Sequence, residues 1–324
     1  TDISTATSAN VTLTGVTLDL DLSVGNASTL NANGLTLAGG HKITLNTAGN
    51  TTTLNFVGNT QTFGGTGEVI FGGSSSPNNL NANLTGGQTL TIGSGITVHS
   101  GAGGQNGTIN ANQPIVNQGT ISADASGRTI TISGAGPFTN SGTMNAPSGV
   151  LTITPTTFTN TGTARVSGSG TLTIGATATS WDSSAGVLDI QGGTLNLDST
   201  FTAANLGTFT RGGSGAAGTV NLTGTFNNAG TFTFNSTTGA WNLVGGTVNG
   251  GTLTGLAMAT SGSNTLTGVT LDLDLSVGIS STLNANVLTL AGGHKITLLS
   301  NGNASTLNFL GSSQTFGGLG EVIF

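Results

Sequence analysis

The segment Phe138-Thr-Asn-Ser-Gly-Thr143 recurs one short period later as Phe158-Thr-Asn-Thr-Gly-Thr163, and a looser version, Ile115-Val-Asn-Gln-Gly-Thr120, precedes both. Each leads into a short run in which apolar and polar residues alternate, as in Leu151-Thr-Ile-Thr154 and Thr171-Leu-Thr-Ile174. Alternation with a period of two places the apolar side chains on one face of a strand and Thr on the other. The pattern therefore predicts short strands that recur about every 20 residues along the chain.

The residues between these runs favour tight corners. Gly, Thr and Asn number 56, 61 and 33 of the 324 residues. Gly and Asn tolerate the positive φ that corners need, and a chain this rich in Thr and Gly forms helices poorly. Short strands that are joined by such corners, with about 20–23 residues per coil, predict an all-β fold, a right-handed parallel β-helix (β-solenoid) of roughly 15 coils. Tandem β-sandwich domains are the alternative, but such domains repeat about every 100 residues and would not produce the period of about 20 residues.

A second, larger repeat is present. Thr12–Phe71 and Thr265–Phe324 align without a gap at an offset of 253, with 48 of 60 positions identical. We therefore interpret residues 1–253 as one large tandem repeat and residues 254–324 as the start of the next, in one continuous solenoid. Both ends then look like cuts in a longer array. Each added repeat would lengthen the rod by about 55–60 Å, and Asn residues at equivalent corners would form ladders along it.

These residues also carry a family resemblance. The stretch Val116–Ala123, the FTNSGT and FTNTGT coils and the GTLTI runs resemble the β-solenoid repeats of giant bacterial surface proteins, the filamentous haemagglutinin-like and autotransporter-type adhesins. The resemblance implies a right-handed parallel β-helix, export to the cell surface and a role in fibres or adhesion. It transfers no catalytic residue.

Composition excludes several classes of protein. Only 5% of the residues are charged, where about one in four is usual, and the net charge is −6. Such a chain lacks the basic surface that binds nucleic acid. It contains no apolar run of the roughly 18 residues that a spanning helix needs, so we expect no membrane span in this segment. With no Cys, it has neither disulfides nor thiolate metal sites.

The most suggestive polar residues are Asp19 and Asp21, which recur as Asp272 and Asp274. Two carboxylates at alternate positions of one strand are within reach of a cation site or of a two-carboxylate glycosidase. However, the alternation in Leu18–Leu22 turns the leucines inward and both acids outward. A solvated strand face is therefore the favoured interpretation, and cation binding by either pair is left open.

The other charged residues receive structural interpretations. His41-Lys42 and His294-Lys295 follow Gly pairs and are expected in polar turns, while Glu68 and Glu321 are expected to be exposed or to pair with a nearby Lys. The three His are not spaced as metal ligands. We therefore assign no catalytic, cofactor-binding or metal-binding residue, and no cofactor.

Two further motifs bear on binding. The pairs Thr129/Thr131, Thr152/Thr154 and Thr171/Thr173 raise the possibility of an ice-binding Thr array, but Asp189, Asn196 and Asn221 interrupt the later coils. Trp181 and Trp241, which a sugar-binding wall could use, are expected in the core with most of the Phe residues.

The sequence as a whole favours a structural role. We expect a segment of a giant, exported bacterial cell-surface fibre that serves extension, scaffolding or adhesion outside the cell, and not an enzyme. The alternative is an adhesin-type module that binds carbohydrate or a surface. Ice binding and a polysaccharide-degrading β-helix enzyme are less favoured, since so few basic residues hardly furnish a catalytic cleft. The expected partners are the adjoining repeats, with like rods, end to end or laterally, and surface glycans as further candidates.

Overall fold

The computed structural model describes residues 2–75, 77–176, 179–212 and 217–324. These residues form an all-β parallel solenoid of about 14 coils, with 56% of the chain in strands. The predicted fold class is therefore confirmed. Strand pairing within the described residues is parallel and joins successive coils. It is interrupted between Ser180–Asp182 and Thr200–Thr202 and between Thr208–Arg211 and Thr231–Phe234.

Each coil contributes one short strand to each of three walls. Wall 1 is a single ladder of 15 strands that runs the length of the rod. Its strands are Asn10–Thr14, Thr29–Asn33, Thr53–Gly58, Asn78–Leu84, Gly107–Asn110, Thr129–Gly134, Val150–Pro155, Thr171–Ile174, Thr194–Leu197, Thr219–Leu222, Asn242–Val244, Met258–Ser261, Leu275–Val277, Lys295–Leu298 and Glu321–Ile323.

Walls 2 and 3 follow wall 1 in each coil. Wall 2 contains Thr17–Leu18, Leu90–Ile92, Ile115–Asn117, Phe138–Asn140, Thr157–Asn160 and Ser180–Asp182, and then Thr200–Thr202, Thr225–Asn227, Thr247–Asn249, Ser263–Thr267, Thr282–Asn286 and Thr306–Phe309. Wall 3 contains Ile3–Ser4, Leu22–Val24, Ile96–His99, Thr120–Ser122, Thr143–Ala146, Thr163–Val166, Val187–Ile190 and Thr208–Arg211, and then Thr231–Phe234, Thr252–Gly255, Thr270–Asp272, Thr289–Leu290 and Gly317–Gly318.

Two strands are longer than the predicted runs. Thr36–Thr47 and Gln61–Gly73 turn the corner from wall 2 to wall 3 without a break. Their register shifts between Leu37 and His41, where Gly39 and Gly40 have φ of 63° and 79°. Only Gly adopts such angles without a steric cost, so the Gly pairs let a strand bend instead of ending. One short 3-10 helix, Ala203–Leu206, precedes a wall 3 strand.

Coil length varies more than the short period of the sequence predicts. In the wall 1 register, Met258 pairs with Leu275 across a short coil, whereas Asn79 pairs with Thr108 across a much longer one. Fourteen steps separate the first and last strands of this wall, so an average coil takes about 22 residues. Because the ladders fix only the three strands, the corners take up the difference.

The core is a narrow column of side chains that point inward from the three walls. Ile, Leu, Val and Phe at alternate strand positions are fully buried, and Trp181 and Trp241 lie among them with 3% and 1% of their surface exposed. The prediction that both Trp belong to the core is confirmed. Trp241 packs against Phe209, with ring centroids 5.6 Å apart, and Trp181 against Phe201 at 5.0 Å.

Asparagine ladders connect successive coils, as predicted. In the most buried ladder, Asn117 Nδ2 donates to Asn140 Oδ1, Asn140 Nδ2 to Asn160 Oδ1, and Asn160 Nδ2 to Ser183 Oγ, all at 2.8 Å. All four side chains are fully inaccessible to solvent. The three Asn residues end wall 2 strands, and their amides also bond to carbonyls of the corner, such as Gly142. Ser183 directly follows the strand Ser180–Asp182. Apart from Asn117 Oδ1 at the start of the ladder, which has no partner, these hydrogen bonds satisfy the buried amides and fix the corner between walls 2 and 3.

Candidate functional site

The solenoid brings together side chains that are one coil apart in the sequence. The first cluster that results contains Asp19, Asp21, His41 and Lys42. His41 Nδ1 lies 2.9 Å from Asp21 Oδ1, and His41 Nε2 lies 3.6 Å from Asp19 Oδ1. The backbone N–H of Lys42 donates to Asp21 Oδ1 at 3.1 Å, and its Nζ lies 3.8 Å from Asp21 Oδ2.

Asp21 is the acid of this cluster that interacts with both His41 and Lys42. The hydrogen bond from His41 and then that from the Lys42 N–H hold the pKa of Asp21 below its ordinary value, because both favour the ionised carboxylate. Asp19 remains 80% exposed, whereas the side chain of Asp21 is only 29% exposed. Both acids reach solvent as expected, Asp21 only in part, but the expectation that they lie on one strand is wrong. Strand pairing stops at Leu18 and resumes at Leu22, so the acids lie at a corner.

A second copy of this arrangement forms in the later of the two matching segments. His294 Nδ1 lies 3.2 Å from Asp274 Oδ1, His294 Nε2 lies 3.4 Å from Asp272 Oδ1, and the Lys295 N–H donates to Asp274 at 3.1 Å. His41 and His294 are thus hydrogen-bonded to the preceding coil as well as lying near a Gly turn. Lys42 also lies opposite Glu68 in the strand register, and Lys295 opposite Glu321. Among the described residues, however, neither Lys forms an ion pair with its Glu: Lys42 Nζ approaches Asp21, and Glu68 approaches His99.

The remaining His, His99, also lies near two carboxylates, and the sequence did not predict this cluster. His99 Nδ1 lies 2.7 Å from Asp124 Oδ2, and His99 Nε2 lies 3.6 Å from Glu68 Oε2. The N–H of Gly101 donates to Asp124 Oδ1 at 2.8 Å. This is the most shielded of the three clusters, since only 15% of the His99 side chain is exposed.

The three clusters share one chemistry. In each cluster one ring nitrogen of the His lies 2.7–3.2 Å from an Asp of an adjacent coil, and the other lies 3.4–3.6 Å from a second carboxylate. Both carboxylates come from the preceding coil for His41 and His294, and from the coils on either side for His99. A protonated His therefore links its coil to a neighbour by a charge-assisted hydrogen bond. Within the described residues no group of three or more His, Asp or Glu side chains is arranged to hold a metal ion.

A separate buried charge lies on wall 3. Asp189 accepts hydrogen bonds from Arg165 Nε at 2.7 Å, Gln191 Nε2 at 2.5 Å and Thr210 Oγ1 at 2.9 Å. Burial alone would raise the pKa of Asp189, but the bonds from Gln191, Thr210 and Arg165 together outweigh it and hold this pKa below 3.8. Asp189, which interrupts the Thr pattern in the sequence, therefore forms an ion pair with Arg165, and its hydrogen bonds join three coils.

The lowered pKa of Asp189 gives a pH-dependent stability. At pH 7 we expect Asp189→Asn to lower the free energy of unfolding by about 1.5 kcal/mol, because a charge-assisted bond is lost. A carboxylate with a lowered folded-state pKa stabilises the protein fully above its ordinary pKa of 3.8 and loses this contribution as the pH falls through the folded value. The difference between wild type and variant in urea unfolding should therefore shrink below about pH 4, and a difference that grows there would contradict the assignment.

Arg211 is a partly buried cation that closes a corner. Its guanidinium donates to four backbone carbonyls, those of Ala217, Gly218, Thr238 and Ala240. Burial lowers its pKa, although an arginine remains charged. These bonds tie two coils together without any carboxylate, so the role of Arg211 is structural.

The Thr pairs that the sequence singles out do not stack into an uninterrupted array of two columns. Thr131, Thr152 and Thr173 stack in one column of wall 1, but Asn196 follows them. In the adjacent column Val150 stands between two Thr residues. The pair Thr152/Thr154 is therefore offset by one column from the pairs Thr129/Thr131 and Thr171/Thr173, which share both columns.

No known protein family, curated protein or solved structure matches this chain. None of the described residues belongs to a helix long and apolar enough to cross a membrane.

Proposed function

We propose that this chain is a structural segment of an extended fibre, exported and held on the surface of a bacterial cell, where it serves extension, scaffolding or adhesion. The observation that carries the proposal is the continuity of wall 1, whose single ladder runs from the first of the two matching segments into the second. A solenoid that grows by adding coils to an existing ladder needs no hinge or new core at the boundary between repeats.

The charge distribution supports the same role. Like charges stacked at about 4.8 Å in successive coils would repel one another, and only 5% of the residues are charged. Among the charges, the Lys42–Asp21 and Arg165–Asp189 pairs place opposite signs in neighbouring coils. Such a rod is stiff, close to neutral along its length and able to grow by repetition. Its resemblance to the repeats of filamentous haemagglutinin-like adhesins supports the surface location.

Immunogold electron microscopy of the cells that make the protein tests this proposal. With antibodies raised against residues 1–324, we expect gold particles in lines along thin fibres outside the cell. Pre-immune serum and cells that lack the gene are the controls. Label inside the cytoplasm would contradict the proposed location, and label only at fibre tips or in the medium would contradict a role along the shaft.

A further inference from the structure

The two copies of the segment that begins at Thr12 and again at Thr265 occupy different walls of the solenoid. Leu22–Val24 lies in wall 3, where it pairs with Ile43, Thr44 and Leu45, but its counterpart Leu275–Val277 lies in wall 1, between Met258–Ser261 and Lys295–Leu298. Equivalent residues are therefore displaced around the axis as well as along it.

The same displacement holds for the other strands of the segment. Thr29–Asn33 lies in wall 1 and its counterpart Thr282–Asn286 in the wall 2 ladder. Eleven coils after Thr29–Asn33, wall 1 reaches Leu275–Val277, and Thr282–Asn286 follows one wall later. The large repeat therefore makes about 11⅓ coils.

We infer that successive large repeats are related by a screw of one third of a turn, so that an array presents each surface feature on all three sides of the rod in succession. With about 4.8 Å per coil, the step along the axis is about 54 Å, and a feature returns to the same side after three repeats, about 160 Å. This inference rests on the proposed tandem array, although the rotation itself is a property of the present chain.

The His clusters illustrate the consequence. Asp21 and His41 lie at the corner between walls 2 and 3, because Asp21 directly precedes the wall 3 strand Leu22–Val24. Asp274 and His294 lie at the corner between walls 3 and 1, because Asp274 precedes Leu275–Val277. A flat partner, such as a parallel rod lying against one side, would therefore meet the same cluster only at every third repeat.

Gold labels on two introduced cysteines test the rotation, since the natural chain has no Cys that would also be labelled. The variant Ser23→Cys/Ser276→Cys labels sequence-equivalent positions. The control Thr29→Cys/Ser276→Cys labels two positions in one column of wall 1 that lie eleven coils apart, so any gradual twist of the rod affects both pairs almost equally.

Both variants are labelled with a small maleimide gold cluster, and the two particles on each rod are located by cryo-electron microscopy. We expect the Thr29/Ser276 pair to follow one wall and the Ser23/Ser276 pair to be rotated from it by about 120°, one third of a turn, at nearly the same separation along the axis. A Ser23/Ser276 pair that follows a single wall would overturn the inference. Immunogold labelling of cells tests the fibre role separately, so either proposal can fail alone.

Discussion

Replacement of Phe56 by Ala should lower the free energy of unfolding by about 3–5 kcal/mol, the usual cost of removing a fully buried aromatic side chain. Phe56 has no exposed surface, and its ring centroid lies 5.2 Å from that of Phe63. The strand Asn78–Leu84 of the next coil covers it, with Ala82 directly opposite in the register. Urea unfolding followed by circular dichroism measures the loss.

Phe309→Ala is the matched control that the chain itself provides. Phe309 occupies the same place in the same Thr-Leu-Asn-Phe motif and packs at 5.3 Å on Phe316, which is equivalent to Phe63. It is, however, 42% exposed, because its strand is the last of the wall 2 ladder. We expect a loss of about 1 kcal/mol, close to the value of the aromatic pair alone. Equal losses for the two variants would show that burial by the following coil is not what stabilises this position.

Asn140→Ala should cost about 3 kcal/mol although it removes only a small polar group, because it leaves buried donors and acceptors unpaired at about 1–3 kcal/mol for each group. Asn140 accepts a bond from Asn117 and donates to Asn160 and to the Thr163 carbonyl, at 2.8, 2.8 and 3.1 Å. Thermal and urea unfolding measure the change.

An exposed Asn pair, Asn227 and Asn249, provides the control for the buried ladder. Asn249 Nδ2 donates to Asn227 Oδ1 at 3.0 Å on the surface of wall 2. Water replaces that bond when it is lost, so Asn249→Ala should change the free energy of unfolding by about 0.5 kcal/mol or less. If Asn140→Ala proved as mild as Asn249→Ala, the buried ladder would not be a source of stability.

Much of this architecture could be predicted because it is local. Alternating runs such as Leu151–Thr154 define a strand and its inward side by themselves, and their recurrence predicts stacking. Asp21 and His41 are separated by the short period of the sequence, as are Asp274 and His294. This spacing indicates that each pair lies side by side in adjacent coils, but the assignment of Asp21 to a strand face did not use it.

Other features depend on corner lengths, for which the sequence carries no comparable signal. His99 is separated from Asp124 by a longer interval, and from Glu68 by a longer one still, so no single period relates this cluster. The number of coils in the large repeat depends on the same corners. That number, and hence the change of wall between Leu22–Val24 and Leu275–Val277, was visible only once the strand register was known.

Because the coils differ in their number of residues, the length of the chain does not by itself determine the length of the rod. The short coil from Met258 to Leu275 and the long coil from Asn79 to Thr108 each advance the axis by one strand spacing. Insertions at a corner therefore thicken the rod at one level and leave its reach unchanged. Such a chain can acquire or lose lateral decoration by small insertions and deletions, while its span is set only by the number of strands in wall 1.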